Sequence, residues 1–439
     1  MLSIYYIFYK EGLMLVTKYQ KIVIALIVLT GVCSGFDIGV ISGTLPVIKD
    51  ELSLNLTQLS EIAGIVFFGA LLSKLISGPL MDIFSRKNIL AFGAFLFTVS
   101  MILMMVSNTY TTLMLSRLLQ GVSIGFLLTV IPVYISETSV AKFRGRAMAI
   151  FQLSLVSGIF LANFFASLFV ASFGWRLIFA CAIPFSILLF IISLIAPFSP
   201  SWLILKGRNE QALTISEQLA LKVQHSLTEK NKTGFVEFIK IVIKQKYYLS
   251  VILISLMAVL NGFVGINVFI SYGPTMFGQL SSCSSCDATY YGSAMTLVNL
   301  VATVFGLFLV DVIGRRKLII GGLLISFISI FTMILCITAD YNNLGLVMLI
   351  IVVFGGAVGP GVCIWLVLSE VLPVHIRGIG ISIALVSKAL IESMFISRFL
   401  DLTYNYGYAP VLYFMGACIV VFIFIVYKFL PEMTNKELI

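Results

Sequence analysis

Apolar stretches long enough to cross a membrane recur almost end to end along the 439-residue chain, separated by short breaks that carry charge, glycine or proline. A helix needs roughly 20 mainly apolar residues to span a bilayer. Twelve stretches meet that length: residues 21–45, 58–80, 88–107, 111–135, 146–170, 175–196, 247–273, 290–310, 317–337, 345–368, 378–398 and 409–430. Their length and their Gly and Pro content predict transmembrane helices, since barrel strands alternate in shorter units. The expected fold class is therefore an all-α membrane protein with twelve transmembrane helices.

Composition excludes a soluble globular chain: 60% of residues are hydrophobic and 11% charged. The net charge of +9 is a topology signal, because its Lys and Arg alternate between loops. One set of loops holds Arg86 and Lys87, then Lys142, Arg144 and Arg146, then Lys206 to Lys246, then Arg315, Arg316 and Lys317, then Arg377; the opposite set holds Lys49, Arg176 and Arg398. Short basic loops stay cytoplasmic, which puts both termini and the central loop on that side of a cell membrane. A nucleic-acid footprint would gather those charges on one soluble face. The segment before the first helix is broken by Lys10 and Glu11 and lacks a small-residue cleavage site, so it is not a signal peptide, and translation starts at Met1 or Met14. Five cysteines fall in predicted helices, while Cys283 and Cys286 form CSSC in an outward loop, either a local disulfide or two free thiols.

The chain also repeats itself. Asp82 and Arg86 follow the second span as Asp311 and Arg315 follow the eighth, Asp to Arg four positions apart both times, with Arg316 beside the second copy. Glu137 with Arg144 follows the fourth span as Glu370 with Arg377 follows the tenth, seven positions apart both times. Offsets of 229 and 233 residues make these two copies of one six-helix unit. Carboxylates at helix ends facing Arg of neighbouring loops form ion pairs that break and remake as the halves move; ordinary positive-inside caps would explain the bases but not the matched acids. The expected organisation is a cytoplasmic segment 1–20, a bundle 21–196, a linker 197–246 with short helices, a second bundle 247–430 and a tail 431–439. His225 and His375 fall in cytoplasmic stretches, away from any proton path across the membrane.

Seven motifs in order resemble the major facilitator superfamily and, within it, the sugar porters: GFDIGVISG (Gly35 to Gly43), Arg117 with Gly121, PVYISETSVAKFRG (Pro132 to Gly145), SPSWLILKGR (Ser199 to Arg208), GIN (Gly265 to Asn267), DVIGRR (Asp311 to Arg316) and SEVLPVHIRG (Ser369 to Gly378). The resemblance implies two six-helix bundles around a central site that opens alternately to each side, in a protein that works as a monomer, needs no cofactor or metal, and is driven by a proton gradient. Asp37 and Arg117 lie roughly 16 Å and 10 Å from the outer ends of their helices, at 1.5 Å per residue, so they share a depth. Proton-coupled sugar porters carry an acid and an arginine at these positions. By that resemblance Asp37 takes a proton when Arg117 turns away and releases it when the pair re-forms; a static brace between helices 1 and 4 is the alternative.

Sugar hydroxyls call for neutral amides and an aromatic face. Gln152, Asn267, Asn299 and Trp365 match family substrate positions, and Tyr272 keeps the second of two tyrosines after GIN, the first being Ser271. Elsewhere the chain departs from the pattern. Asn261-Gly262 replaces a pair of glutamines, and Lys388, Ala389 and Glu392 replace an amide, a tryptophan and a frequent asparagine. Lys388 and Glu392 share a helix face: they pair structurally, or Lys388 anchors an acidic substrate, or Glu392 is a second proton site. Lys74 in the second span is expected to snorkel to the cytoplasm. Ser85, where a glycine is usual, is expected to weaken the first basic loop's turn, and Gly359-Pro360 leaves the bend of the tenth span open. Proton-coupled symport of a sugar or polyol is the expected function; a facilitator of an anionic or other non-sugar solute and a transporter-like nutrient sensor are the alternatives. No nucleotide loop, metal cluster or nucleophile triad suggests an enzyme.

Overall fold

The computed structural model describes residues 17–221, 247–281, 285–371 and 374–430, and within these the chain is helical with no strand. The start, most of the linker with His225, Cys283 and the tail lie outside the described residues, as do the side chains of Lys142, Cys286, Asp311, Glu370, His375 and Arg377. The first half contains α1 (Lys18–Glu51), α2 (Leu56–Ile83), α3 (Arg86–Met105), α4 (Tyr110–Thr138), α5 (Ala141–Phe173) and α6 (Trp175–Ile195). Two short helices follow, α7 (Pro200–Leu205) and α8 (Asn209–Gln218). The second half contains α9 (Tyr248–Leu280), α10 (Ser285–Ile313), α11 (Arg315–Thr338), α12 (Asn342–Val367), α13 (Val374–Ile396), the short α14 (Phe399–Tyr406) and α15 (Tyr408–Phe429).

Eleven helices are long and apolar enough to cross a membrane, and a twelfth span is broken: its two parts, α13 from Gly380 and α14, meet at 42°. Large apolar side chains such as Phe95, Ile191, Phe308 and Phe424 stay exposed on the outside of the bundle, where lipid is the solvent. Inside each half, α1 packs on α5, α2 and α3 on α4, α11 on α12 and α15, and α9 on α13. The α1–α5 seam is set by glycine: a Cβ at Gly35 would fall 1.8 Å from the Leu155 carbonyl oxygen, so any larger residue would push the helices apart.

Local chemistry explains where helices start and break. Thr17, Asn55 and Thr109 cap α1, α2 and α4 reciprocally with the residue three positions on. Ser85 takes an extended conformation and its hydroxyl accepts from the Asn88 N–H, whereas its counterpart Gly314 turns at φ 92°. Capping thus does in the first half what a left-handed glycine does in the second. α9 breaks at Val264-Gly265, with Gly265 at φ 90°. α12 widens into a π turn over Ala357–Gly361, which gives Pro360, a residue without an N–H, its place inside a membrane helix.

The halves meet through α5 with α10, α2 with α13 and α14, and α1 with α9 and α10. Hydrogen bonds seal the end opposite the Arg86 and Arg315 loops. Thr57 donates to Asp401 at 3.3 Å, the Leu400 N–H donates to the Ser60 hydroxyl at 3.2 Å, and Ser293 donates to the Asn163 carbonyl at 2.8 Å.

Candidate functional site

Where α1, α2 and α4 converge, Asp37 and Arg117 are 0% and 1% exposed, and Arg117 Nη1 lies 3.1 Å from Asp37 Oδ1. The shared depth expected from helix rise is therefore realised as an ion pair. Two ions taken out of water need further partners to offset desolvation. Arg117 finds them in Gln120 Oε1, 2.5 Å from Nη1, and in the Ile62 carbonyl, 3.4 Å from Nε. Asp37 is served on one oxygen only: its buried Oδ2 has no hydrogen-bond partner among the described residues. Gln120 escaped the sequence reading, although its position three residues from Arg117 puts it on the same helix face.

Tyr272, expected at the substrate, lies fully buried in the seal between the halves. Its hydroxyl donates to the Ile396 carbonyl at 2.7 Å and the Ser60 carbonyl at 3.4 Å, and its ring stacks on Phe399 at 5.4 Å. One side chain of α9 thus ties α2 to α13. Ser60, Asn163, Ser293 and Asp401 complete this seal, and no spacing in the sequence signals them, because their partners lie in the other half.

Around the break in α9 a second polar cluster forms. Asn267 Nδ2 donates to Glu392 Oε1 at 2.9 Å, and Lys388 Nζ lies 3.6 Å from the same oxygen. Gly262 leaves room for the glutamate, since a Cβ there would come 3.0 Å from Glu392 Cγ. Asn261 is buried and its Nδ2 lacks a partner among the described residues. Lys74, expected to snorkel to the cytoplasm, is half-buried on α2 and within electrostatic range of Glu392 and Lys388. Of the remaining sequence candidates, Asn299 on α10 is buried, while Gln152 on α5 and Trp365 on α12 are half-buried.

At the basic end Arg86 Nη2 donates to Glu137 Oε1 at 3.0 Å and Nε lies 2.9 Å from Oε2, the oxygen to which Ser199 donates. Ser199 was matched only as part of a motif; here it fastens the linker to α4. Arg86 also donates to the Met81 carbonyl and Arg315 to the Val310 carbonyl, five residues back in both cases, so the repeat extends to hydrogen bonds. Arg316 donates to the Tyr427 carbonyl, tying α11 to α15. Asp82 and Arg144 are exposed.

Two six-helix halves, with an ion pair buried inside the first and charged loop signatures repeated in both, define a major-facilitator membrane transporter. Solved structures carry the same fold: the proton:xylose symporter XylE bound to 6-bromo-6-deoxy-D-glucose superposes with a TM-score of 0.79 at 24% identity, covering 96% of this chain and 98% of that one. Residues 23–439 match the family described as sugar (and other) transporter, and the chain belongs to that family. It is a transporter and not an enzyme. Similar relatives include the glucose transporter GlcP of Staphylococcus epidermidis, 29% identical over 93% of this chain and 94% of the relative, and the galactose-proton symporter of Escherichia coli K12, 27% identical over 93% and 91%. The arabinose-proton symporter of Bacillus subtilis is 28% identical over 93% and 91%.

Proposed function

We propose that this chain is a proton-coupled symporter that brings a sugar or related polyol across the cell membrane by alternating access, as a monomer with both termini in the cytoplasm. The buried Asp37–Arg117 pair carries this reading. A charge deep in a membrane span is costly, so a carboxylate held there has a task beyond filling space. Arg117 is shared between Asp37 and Gln120, so its guanidinium has a second partner to turn to when it leaves the carboxylate. Asp37 Oδ2, buried and unpartnered, is the place for the proton. The names of the galactose-proton and arabinose-proton relatives support the same coupling.

The present arrangement is sealed at the end away from the basic loops, which is the outer end when those loops are cytoplasmic. In that state Asp37 has given up its proton and is held by Arg117. Binding energy from cargo and proton together drives the exchange of the seal at one end for ion pairs at the other. Gln152, Asn267, Asn299 and Trp365 are the residues we assign to the cargo.

Reconstitution into proteoliposomes tests the proposal. Asp37→Asn is expected to abolish gradient-driven accumulation while sparing counterflow exchange, since the neutral amide still lets the halves rock but carries no proton. Equal accumulation by the variant and the parent would overturn the coupling.

A further inference from the structure

The cluster around Glu392 holds more positive than negative charge, and it draws on both halves. Lys388 and Glu392 are one turn apart on α13, while Lys74 comes from α2. α2 packs on both α13 and α14 and runs antiparallel to them: Thr57 meets Asp401 and Ser60 meets Leu400 on α14, and a Cβ at Gly64 would fall on Ser397 in the turn between α13 and α14. Following that alignment along α2 brings Lys74 level with Ser387 and Lys388. Lys74 is indeed within electrostatic range of Lys388 and Glu392. Two lysines from opposing halves are therefore grouped around one carboxylate, which Lys388 and Asn267 already contact while Lys74 stands within electrostatic range.

Donors dominate the rest of the cluster too. Asn261, 7% exposed and next to the glycine that accommodates Glu392, has a buried Nδ2 with no partner among the described residues. An excess ammonium deep in a membrane span is expensive unless an anion meets it. The family's neutral amide and tryptophan are absent here, replaced by Lys388 and Ala389.

We propose that this cluster is a carboxylate subsite and that the cargo is a sugar acid, a hexuronate or aldonate, whose carboxylate lodges between Lys74 and Lys388. The assignment rests on the transport reading above and narrows its substrate class. One excess positive charge matches a monoanion, whereas a sugar phosphate, at about −1.5 to −2, would overfill it. Because the two lysines belong to different halves, a carboxylate between them draws the halves together and stabilises the occluded state selectively. One proton moving with one monoanion also carries no net charge, whereas a proton moving with a neutral sugar carries one.

Proteoliposome uptake and thermal stabilisation of the detergent-purified protein test this together, using D-galacturonate, D-gluconate, D-galactose, D-glucose and glucose 6-phosphate. The acids are expected to outcompete their neutral parents at least tenfold. Their proton-driven uptake should not respond to a valinomycin-imposed potential. Lys74→Gln and Lys388→Gln are each expected to remove at least tenfold of that preference, and with it the acid-dependent rise in melting temperature. The melting temperature and monodispersity of each unliganded variant show whether it is folded; if either fails, Lys→Arg at the same position, which keeps the charge, is expected to retain the acid preference. Uptake of neutral sugars with no entry or competition by acids overturns the inference and leaves the transport reading standing. Lysine-dependent acid binding without flux of any solute does the reverse. Tighter binding of glucose 6-phosphate than of either acid overturns the monoanion assignment.

Discussion

At the scale of single residues, the Asp37–Arg117 pair is a case where removing one partner costs more than the pair contributes. Arg117→Met leaves the Asp37 carboxylate buried without its cation, and breaking a buried pair in this way costs about 3–5 kcal/mol. Most of that loss is expected to vanish in an Asp37→Asn background, where no charge is stranded, although Gln120 still loses its guanidinium. Unfolding in mixed micelles, run as a double-mutant cycle, measures the coupling; equal costs of Arg117→Met in the two backgrounds would show that the charges do not act as a pair. The pair was legible in the sequence because both residues are ionisable inside apolar spans and their depths follow from counting. Lys74 was equally visible as an intramembrane charge, yet its surroundings were not, since the packing of α2 on α13 joins sequence-distant halves.

At the scale of elements, hydropathy located every membrane helix, because lipid forces each span to satisfy its own backbone hydrogen bonds. Breaks within spans were harder to read. The bend in α9 depends on Gly265, whose φ of 90° strains any residue with a Cβ; the nearest atom such a Cβ would meet, Met415 Cε at 2.1 Å, is the mobile end of a side chain that can move aside. Gly265→Ala is expected to destabilise the protein by at least about 1–2 kcal/mol, the left-handed penalty for a residue with a Cβ. It should also weaken cargo uptake, because Asn261 and Asn267 flank the break and straightening α9 rotates one against the other. Melting temperature and initial uptake rate check both parts; an unchanged melting temperature would mean that α9 adapts without the left-handed turn. The π turn of α12 forms around Gly359-Pro360, residues the sequence marks without giving the geometry, and the α13–α14 break has no counterpart in any periodicity of the chain.

At the scale of the whole molecule, the duplicated charge signatures foretold two related halves, and the structure adds that their basic-end arginines bond the same carbonyl five residues back. The seal at the opposite end could not be foretold, because it is made by Ser, Thr and Tyr groups whose partners are mostly backbone carbonyls or N–H groups across the interface. Tyr272 is its most connected member, and its two contributions separate cleanly. Tyr272→Phe keeps the stack on Phe399 but removes the hydroxyl's bonds to Ile396 and Ser60. Only the bond to Ser60 joins the halves, and a hydrogen bond contributes about 0.5–1.5 kcal/mol net, so the equilibrium should shift by at most roughly two- to tenfold toward opening at that end. A cysteine introduced at Ser271, buried beside Tyr272 in α9, reports the shift through a membrane-impermeant thiol reagent added from outside. Labelling should accelerate by the same factor in the Tyr272→Phe background. A rate equal to the parent's would mean that stacking and helix packing hold the seal without the hydroxyl, and the balance between the two faces would then have to be set elsewhere, with Arg86 and Glu137 at the basic end the next pair to test.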